Sequence, residues 1–123
     1  MRVLITDDSS LIRAKVKKDL NALGHSSVQA SNGEEALEIV KKSHLDLIFM
    51  DINMPIMDGL EAIKKIVPMS DIPIIIITAL DDSAQMIIDA IENGAKYFLH
   101  KPYDKNEFED VIKRVEASLY SVV

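Results

Sequence analysis

The chain of 123 residues carries a formal net charge of −6, and 48% of its residues are hydrophobic. This length predicts a single domain over residues 1–123 that can bury a core without disulfides. The absence of cysteine excludes disulfide scaffolds and thiolate chemistry, and the acidic balance argues against direct binding of nucleic acid. No apolar run reaches the roughly 18 residues of a membrane span and no signal-peptide pattern is present, so we expect a cytoplasmic protein without membrane insertion.

Short apolar runs alternate with longer amphipathic segments along the chain. The apolar runs predict strands at residues 3–5, 27–30, 45–50, 74–77 and 97–99. Helical spacing predicts helices at residues 9–23, from 31 onward, and at 60–67, 82–93 and 104–119. Capping-box patterns at Ser31 with Glu34 and at Asp104 with Glu107 predict two of the helix starts. Strict alternation of strand and helix predicts an α/β fold with a parallel sheet covered by helices on both faces.

Polar side chains follow four of the five predicted strands. Asp7 and Asp8 follow the first, Asp51 the third, Thr78 the fourth and Lys101 the fifth. Because parallel strands bring their carboxyl ends to one edge, we expect these groups to converge. The three carboxylates and one ammonium carry a net charge of −2, which a divalent cation would neutralise, and all-oxygen ligation favours Mg²⁺, with Mn²⁺ as an alternative. A hard cation beside a carboxylate, a lysine and a threonine suits phosphoryl transfer to the carboxylate.

Each of these residues also has an ordinary structural interpretation. Asp7 and Asp8 are suitable N-caps for the first helix, and Thr78 is suitable for a later one. Asp51 could form a turn, and Lys101 could be a solvated charge. A coincidence of all these roles at corresponding strand ends is less expected than one shared site.

These residues, the Thr78-Ala79 and Lys101-Pro102 pairs and the segment MDINMPIMDG at positions 50–59 together resemble the receiver domain of two-component response regulators. The resemblance covers essentially the whole chain and is CheY-like, since the chain has the length of a receiver alone. It implies a flavodoxin-like (βα)5 doubly wound sheet with strand order 2-1-3-4-5.

The resemblance also implies a role for each site residue. Asp51 corresponds to the phospho-accepting aspartate. Asp7 and Asp8 correspond to the acidic pair that holds Mg²⁺, together with Asp51 and the backbone carbonyl of Asn53. Thr78 corresponds to the hydroxyl that turns toward the phosphoryl group.

At the fifth strand, Lys101 corresponds to the cation that pairs with a phosphoryl oxygen. Phe98 falls at the aromatic switch position, where Tyr is common, so a partner contact through a hydroxyl is lost. The Lys101-Pro102 bond is expected to be cis by the same similarity.

The implied function is that of a signalling switch and not of an enzyme acting on a separate substrate. Such a protein takes a phosphoryl group from a histidine kinase or phosphotransfer protein, catalysing its own phosphotransfer and a slow autodephosphorylation. Phosphorylation would change the surface of the fourth helix, fifth strand and fifth helix and so control a downstream protein, which the sequence does not identify. A stand-alone, chemotaxis-like regulator is favoured, with a phosphorelay intermediate or a receiver from a longer regulator as alternatives.

Other function classes fit the residues less well. A haloacid dehalogenase-like phosphatase also uses an aspartate and Mg²⁺, but its second acid two residues on is replaced by Ser9 after Asp7 and by Asn53 after Asp51. A nucleotide or flavin binder would need a glycine-rich phosphate loop, and the four glycines are scattered. A pseudo-receiver is disfavoured because no core position is missing.

Two further features are left outside the predicted site. His100 precedes Lys101 and should therefore point to the opposite face of its strand. The first helix is basic, which indicates either a solvated face or part of a docking surface for an acidic partner. Its basic residues are Arg13, Lys15, Lys17 and Lys18.

Overall fold

A computed structural model describes residues 1–119, and the last four positions of the predicted 1–123 domain lie outside the described residues. The strands are β1 (Arg2–Thr6), β2 (Ser26–Ala30), β3 (Leu47–Asp51), β4 (Ile74–Ala79) and β5 (Tyr97–Lys101). The helices are α1 (Ser10–Ala22), α2 (Gly33–Lys42), α3 (Gly59–Ile66), α4 (Ala84–Glu92) and α5 (Lys105–Leu119), with a short 3-10 turn at Val67–Met69. Within residues 1–119, no helix combines the length and the apolar character needed to cross a bilayer.

The five strands form one parallel sheet in the order β2-β1-β3-β4-β5, which confirms the predicted fold and strand order. β3 is buried along its whole length, and β1 and β4 are buried at every position but one. The edge strands β2 and β5 are half exposed. The central strands β1, β3 and β4 carry continuous apolar runs because helices cover both of their faces.

The sheet separates two hydrophobic cores. On one face, alternate strand residues such as Ile48 and Ile76 pack against α2, α3 and α4. On the other face, Phe49 and Ile77 pack against α1 and α5, and Phe49 stacks on Phe108 of α5 with ring centroids 5.7 Å apart. The burial of both faces fixes which side of the sheet each residue of a central strand occupies.

The start of α2 differs from the prediction. Asn32, not Ser31, is the N-cap, and its side chain accepts a hydrogen bond from the Glu35 N–H at 2.9 Å. Ser31 instead donates through its backbone N–H and its hydroxyl to the Glu35 carboxylate. Asn and Ser are equally good caps, so the pattern with Glu34 placed the helix start one residue early.

The fourth helix also starts later than predicted, whereas the fifth starts as expected. Ser83 is the N-cap of α4, and Asp82 accepts a hydrogen bond from the Ala79 N–H at 2.7 Å, closing a turn before the helix. At α5, Asp104 accepts from the Glu107 N–H at 2.8 Å and Glu107 accepts from the Asp104 N–H at 3.4 Å. This reciprocal pair confirms the predicted capping box.

Gly59 brings the start of α3 directly against the end of β3. A Cβ atom at this position would overlap the backbone oxygen of Asp51 and lie 2.7 Å from the Cα of Ile52. The Gly59 N–H donates to the Ile52 carbonyl at 3.1 Å, which holds the close approach in place. Glycine is therefore required by the contact itself and not by its own dihedral angles.

Gly59→Ala is expected to lower the free energy of unfolding by about 1–3 kcal/mol, because backbone atoms cannot move aside as a flexible side chain would. Urea titration followed by circular dichroism measures the loss. Ser10→Ala, at the exposed first position of α1, is the matched control and should change stability by less than about 0.5 kcal/mol. Equal stability of Gly59→Ala and the wild type would contradict the close approach.

Candidate functional site

The three predicted acidic residues lie together at the carboxyl edge of the sheet. Oxygen atoms of Asp7, Asp8 and Asp51 lie within 4.8 Å of one another. Asp7 and Asp51 are buried, with Asp51 only 2% exposed, whereas Asp8 is exposed. The cluster is therefore a half-open acidic pocket and not a solvated patch.

Lys101 reaches into this cluster from the end of β5. Its Nζ lies 3.0 Å from Oδ2 of Asp7 and 3.3 Å from Oδ2 of Asp51. Burial opposes the charge of Lys101, but the hydrogen bond to Asp7 and the charge of Asp51 outweigh it and raise the pKa of the lysine. The interpretation of Lys101 as a solvated charge is wrong, since its side chain is 18% exposed and pairs with two carboxylates.

The single lysine does not neutralise the pocket. Burial, and next to it the negative charge of Asp7, raise the pKa of Asp51 to about 7, although Lys101 and the Asn53 N–H act in the opposite direction. Two close carboxylates resist simultaneous ionisation unless more positive charge is supplied. The pocket therefore favours either a proton or a further cation beside Asp51.

The local structure leaves the carboxylates of Asp7 and Asp8 available to this pocket. Ser9 is the N-cap of α1 and accepts from the Ile12 N–H at 3.3 Å, so the interpretation of the two aspartates as helix caps is wrong. Asp7 accepts from the Ser9 N–H at 2.9 Å, and Arg13 donates to the Asp7 backbone carbonyl at 2.6 Å. These bonds fix the turn after β1 and orient the Asp7 side chain.

The loop after β3 carries Asn53 next to the acidic pocket. The Asn53 N–H donates to Oδ1 of Asp51 at 3.4 Å, which places this backbone segment at the edge of the carboxylate. Further along, Ile56 has a φ of 69°, a left-handed conformation that is unfavourable for a β-branched residue. The Met57 N–H donates to the Pro55 carbonyl at 2.8 Å and closes this turn. The loop is thus an ordered turn beside the pocket.

The donor set of the pocket fits a hard divalent cation. Three carboxylates against one ammonium leave a net charge of −2 among oxygen ligands that already lie within 4.8 Å of one another. Mg²⁺ and Mn²⁺ prefer such ligands, and Mg²⁺ needs only one or two carboxylates besides water. The exposure of Asp8 leaves one side of the pocket open to solvent, which such an ion requires for its remaining ligands.

Thr78 lies at the end of β4, where its side chain is fully buried. It does not cap a helix, because Ser83 caps α4, so that interpretation is wrong. Its hydroxyl is hydrogen-bonded to Nδ1 of His100 at 2.8 Å, and the ring of Phe98 meets the His100 ring edge-on with centroids 5.4 Å apart. His100 is predicted to lie outside the site because it alternates with Lys101 along β5, but the register of β4 and β5 pairs it with Thr78 and so brings it to the site residue on the other face of the sheet.

The β5–α5 loop is tied to α1 by a residue that the sequence analysis did not single out. The Lys101-Pro102 peptide bond is cis, and the hydroxyl of the next residue, Tyr103, donates to Oδ2 of Asp19 at 2.6 Å. Burial and the hydrogen bond to Asp19 raise the pKa of the Tyr103 phenol. Lys15 lies 3.8 Å above the Tyr103 ring and pairs with Asp19 at 3.0 Å, so this lysine is not simply part of a solvated face.

In metal-free buffer, Asp51→Asn should be more stable than the wild type, by a margin that grows between about pH 4 and pH 7. The folded pKa of Asp51 is raised, so the wild type keeps a proton that the unfolded chain has released and loses stability as the pH rises through this interval. The margin should reach about 2–4 kcal/mol and stay constant above about pH 8.

Urea unfolding in the presence of a chelator, repeated across this pH range, measures the margin. Asp81→Asn, which removes an exposed carboxylate outside the pocket, is the matched control and should give a small, pH-independent difference. A pH-independent margin for Asp51→Asn would show that folding does not raise the pKa of Asp51.

Comparison with known proteins agrees with this geometry. The family model described as "Response regulator receiver domain" matches residues 3–113. The chain is 38% identical over 122 residues to a protein-glutamate methylesterase/protein-glutamine glutaminase of Photobacterium profundum, covering 97% of this chain and 30% of that protein. It is 40% identical over 119 residues to the probable transcriptional regulator ycf27 of Cyanidium caldarium, covering 94% and 47%. The chain thus spans less than half the length of these two curated relatives.

Solved structures share the whole fold. The chemotaxis protein CheY4 of Vibrio cholerae superposes with a TM-score of 0.85 at 32% identity, covering 93% of this chain and 97% of that one. A two-component response regulator from Clostridium difficile superposes with a TM-score of 0.91 at 28% identity, covering 98% and 99%. From the family match, the strand order and the acidic pocket at the sheet edge, we conclude that this chain belongs to the response regulator receiver domain family.

Proposed function

We propose that the protein is switched by transfer of a phosphoryl group to Asp51 in a Mg²⁺-dependent reaction. The observation that carries this proposal is the position of the Asp51 carboxylate, which is buried beside Asp7 and Asp8 and lies 3.3 Å from the Lys101 ammonium. The same carboxylate lies at the end of the central strand β3, where ligands bind in open parallel sheets. A buried nucleophile with fixed positive charge nearby suits phosphoryl transfer, which depends mainly on positioning and electrostatics.

In this reaction the Asp51 carboxylate forms a bond to phosphorus while the donor's bond to phosphorus breaks. With a phosphohistidine of a histidine kinase or phosphotransfer protein as donor, the bonding pair returns to the imidazole nitrogen, which then takes a proton. Lys101 would pair with a phosphoryl oxygen, and Thr78 would supply a hydroxyl hydrogen bond. Bound Mg²⁺ would neutralise charge on the phosphoryl oxygens, held by Asp7, Asp8, Asp51 and the backbone carbonyl of Asn53.

The donor must reach a carboxylate that is itself buried, and the segments that follow β1, β3 and β4 carry exposed apolar side chains, here called the apolar rim. Leu11 at the start of α1, Ile56 after β3 and Leu80 after β4 are 80%, 76% and 78% exposed. All three follow strands whose carboxyl ends lie at the same edge of the sheet, and exposed apolar surface beside a site is typical of protein contacts. We assign this rim to the contact with the phosphodonor protein, in the cytoplasm.

The response would be read on the surface formed by α4, β5 and α5. Phe98 lies on this surface, is half exposed and contacts the His100 ring that bonds Thr78. Withdrawal of the Thr78 hydroxyl toward a phosphoryl group would free space for the Phe98 ring and change the surface presented to a downstream protein.

We favour a stand-alone, chemotaxis-like regulator, because the chemotaxis protein CheY4 of Vibrio cholerae matches along 97% of its own length. A phosphorelay intermediate, or the receiver part of a longer regulator, is the alternative, since the curated relatives extend well beyond the matched region. The phosphoryl acceptor chemistry is the same in each case.

Incubation with Mg²⁺ and acetyl phosphate or phosphoramidate should add one labile phosphoryl group, seen by intact-mass spectrometry. The reason is that a small donor needs only the nucleophile, the cation site and Lys101. Asp51→Asn should give no adduct under the same conditions, while Asp81→Asn, the matched carboxylate control, should give the wild-type amount. Absence of an adduct on the wild type, or an undiminished adduct on Asp51→Asn, would refute the proposed function.

Asp8→Ala should reduce Mg²⁺-dependent adduct formation by at least about 10-fold, because it removes a ligand without touching the nucleophile. Asp8 is exposed, so the substitution should leave folding intact, which circular dichroism can verify. Asp81→Ala serves as the control for loss of an acidic side chain near the sheet edge. Wild-type Mg²⁺ dependence in Asp8→Ala would remove Asp8 from the ligand set.

A further inference from the structure

We propose that His100 is a positioning residue that holds the Thr78 hydroxyl and must release it before Thr78 can bind a phosphoryl group on Asp51. The proposal rests on the proposed phosphorylation of Asp51. It adds a competing hydrogen bond, specific to this chain's histidine, that sets how readily the phosphorylated state forms.

The first observation is the contact itself. β4 and β5 pair in parallel with Thr78 opposite His100, so their side chains lie on the same face of the sheet. The Thr78 Oγ1 and His100 Nδ1 atoms are 2.8 Å apart, a full-strength hydrogen bond that runs in either direction depending on the ring tautomer.

The second observation is burial. The Thr78 side chain is fully buried, so its hydroxyl cannot exchange one partner for bulk water. A buried hydroxyl that loses its partner without gaining another is strongly disfavoured. We take Nδ1 of His100 as the acceptor, with the ring proton on Nε2, so that the Thr78 hydroxyl donates to the imidazole. In this tautomer Thr78 has two alternative acceptors, the imidazole in the unphosphorylated protein and a phosphoryl oxygen after transfer, and its one hydroxyl proton cannot serve both at full strength.

The third observation is the contact between His100 and Phe98. Phe98 lies two residues before His100 on the same face of β5, and the two rings meet edge-on at an interplanar angle of 75°. Phe98 has no hydroxyl through which to sense Thr78. The imidazole is the group that touches both, so release of Thr78 frees His100 to move and with it the packing of the Phe98 ring.

The competition predicts the direction of a substitution. Removing the imidazole hydrogen bond leaves Thr78 without its partner in the unphosphorylated state only, so the phosphorylated state becomes relatively more favourable. The net worth of one such hydrogen bond corresponds to about 2- to 10-fold in an equilibrium constant.

The experiment measures binding of beryllofluoride, a stable phosphoryl mimic, in the presence of Mg²⁺ by fluorine NMR. His100→Leu should bind it about 2- to 10-fold more tightly than the wild type. His100→Asn, whose side-chain amide can replace Nδ1 toward the hydroxyl, should return the affinity toward the wild-type value. In a Thr78→Ala background, His100→Leu should change the affinity by less than about 2-fold, because the hydrogen bond is already gone.

A spectroscopic measurement keeps the proposal testable if His100→Leu folds poorly. In the wild type, the ring nitrogen signals of His100 should shift on addition of beryllofluoride toward their values in unliganded Thr78→Ala. His25 and His44, which lie away from the site, are internal controls and should not shift.

The outcomes separate the two proposals. No beryllofluoride binding and no phosphoryl adduct on the wild type would refute the proposed function itself. Binding by the wild type with unchanged affinity in His100→Leu, or an equal effect in the Thr78→Ala background, would overturn the role of His100 while leaving phosphorylation of Asp51 intact.

Discussion

The ion pairs between one lysine and two buried aspartates are the constraint on which the rest of the site depends. Burying carboxylates is costly, and Lys101 between Asp7 and Asp51 offsets only part of that cost. The remaining negative charge raises the pKa of Asp51 and makes the pocket favourable for a further cation. A fold that neutralised the pocket completely would be more stable without a metal ion and would bind one more weakly.

Elements far apart in sequence hold these charges in place. Ser9 caps α1, so the Asp7 carboxylate is not needed as a helix cap and can pair with Lys101. Gly59 lets α3 approach the backbone of Asp51, and Tyr103 ties the loop after Lys101 to Asp19 of α1. Each contact restricts one strand end, and together they hold Asp7 after β1, Asp51 at the end of β3 and Lys101 at the end of β5 within ion-pair distance.

The sequence predicts the architecture well because its signals are periodic and local. Continuous apolar runs with helices between them allow few arrangements other than a doubly wound parallel sheet, and that sheet brings the strand-end residues to one edge. The cap of α2 was misplaced because Ser31 and Asn32 are neighbouring residues of equal capping ability. The contact of His100 with Thr78 could not be predicted in this way, since the two residues are 22 positions apart and meet only through the register of β4 and β5.

The sheet, with a separate hydrophobic core on each face, also places the residues of the site on two different sides. Alternate residues of β5 face opposite sides of the sheet. Leu99 lies in the core beneath α1 and α5, and Lys101, two residues later, lies on the same face. His100 lies on the other face, on the side of α4, where it contacts Thr78. The ion pairs of Lys101 are thus supported by one hydrophobic core, and the contacts of His100, which would respond to phosphorylation, lie on the side of the other. Substitutions on the α4 side of the sheet can therefore change the response of the surface, while the ion pairs on the α1 and α5 side keep their geometry.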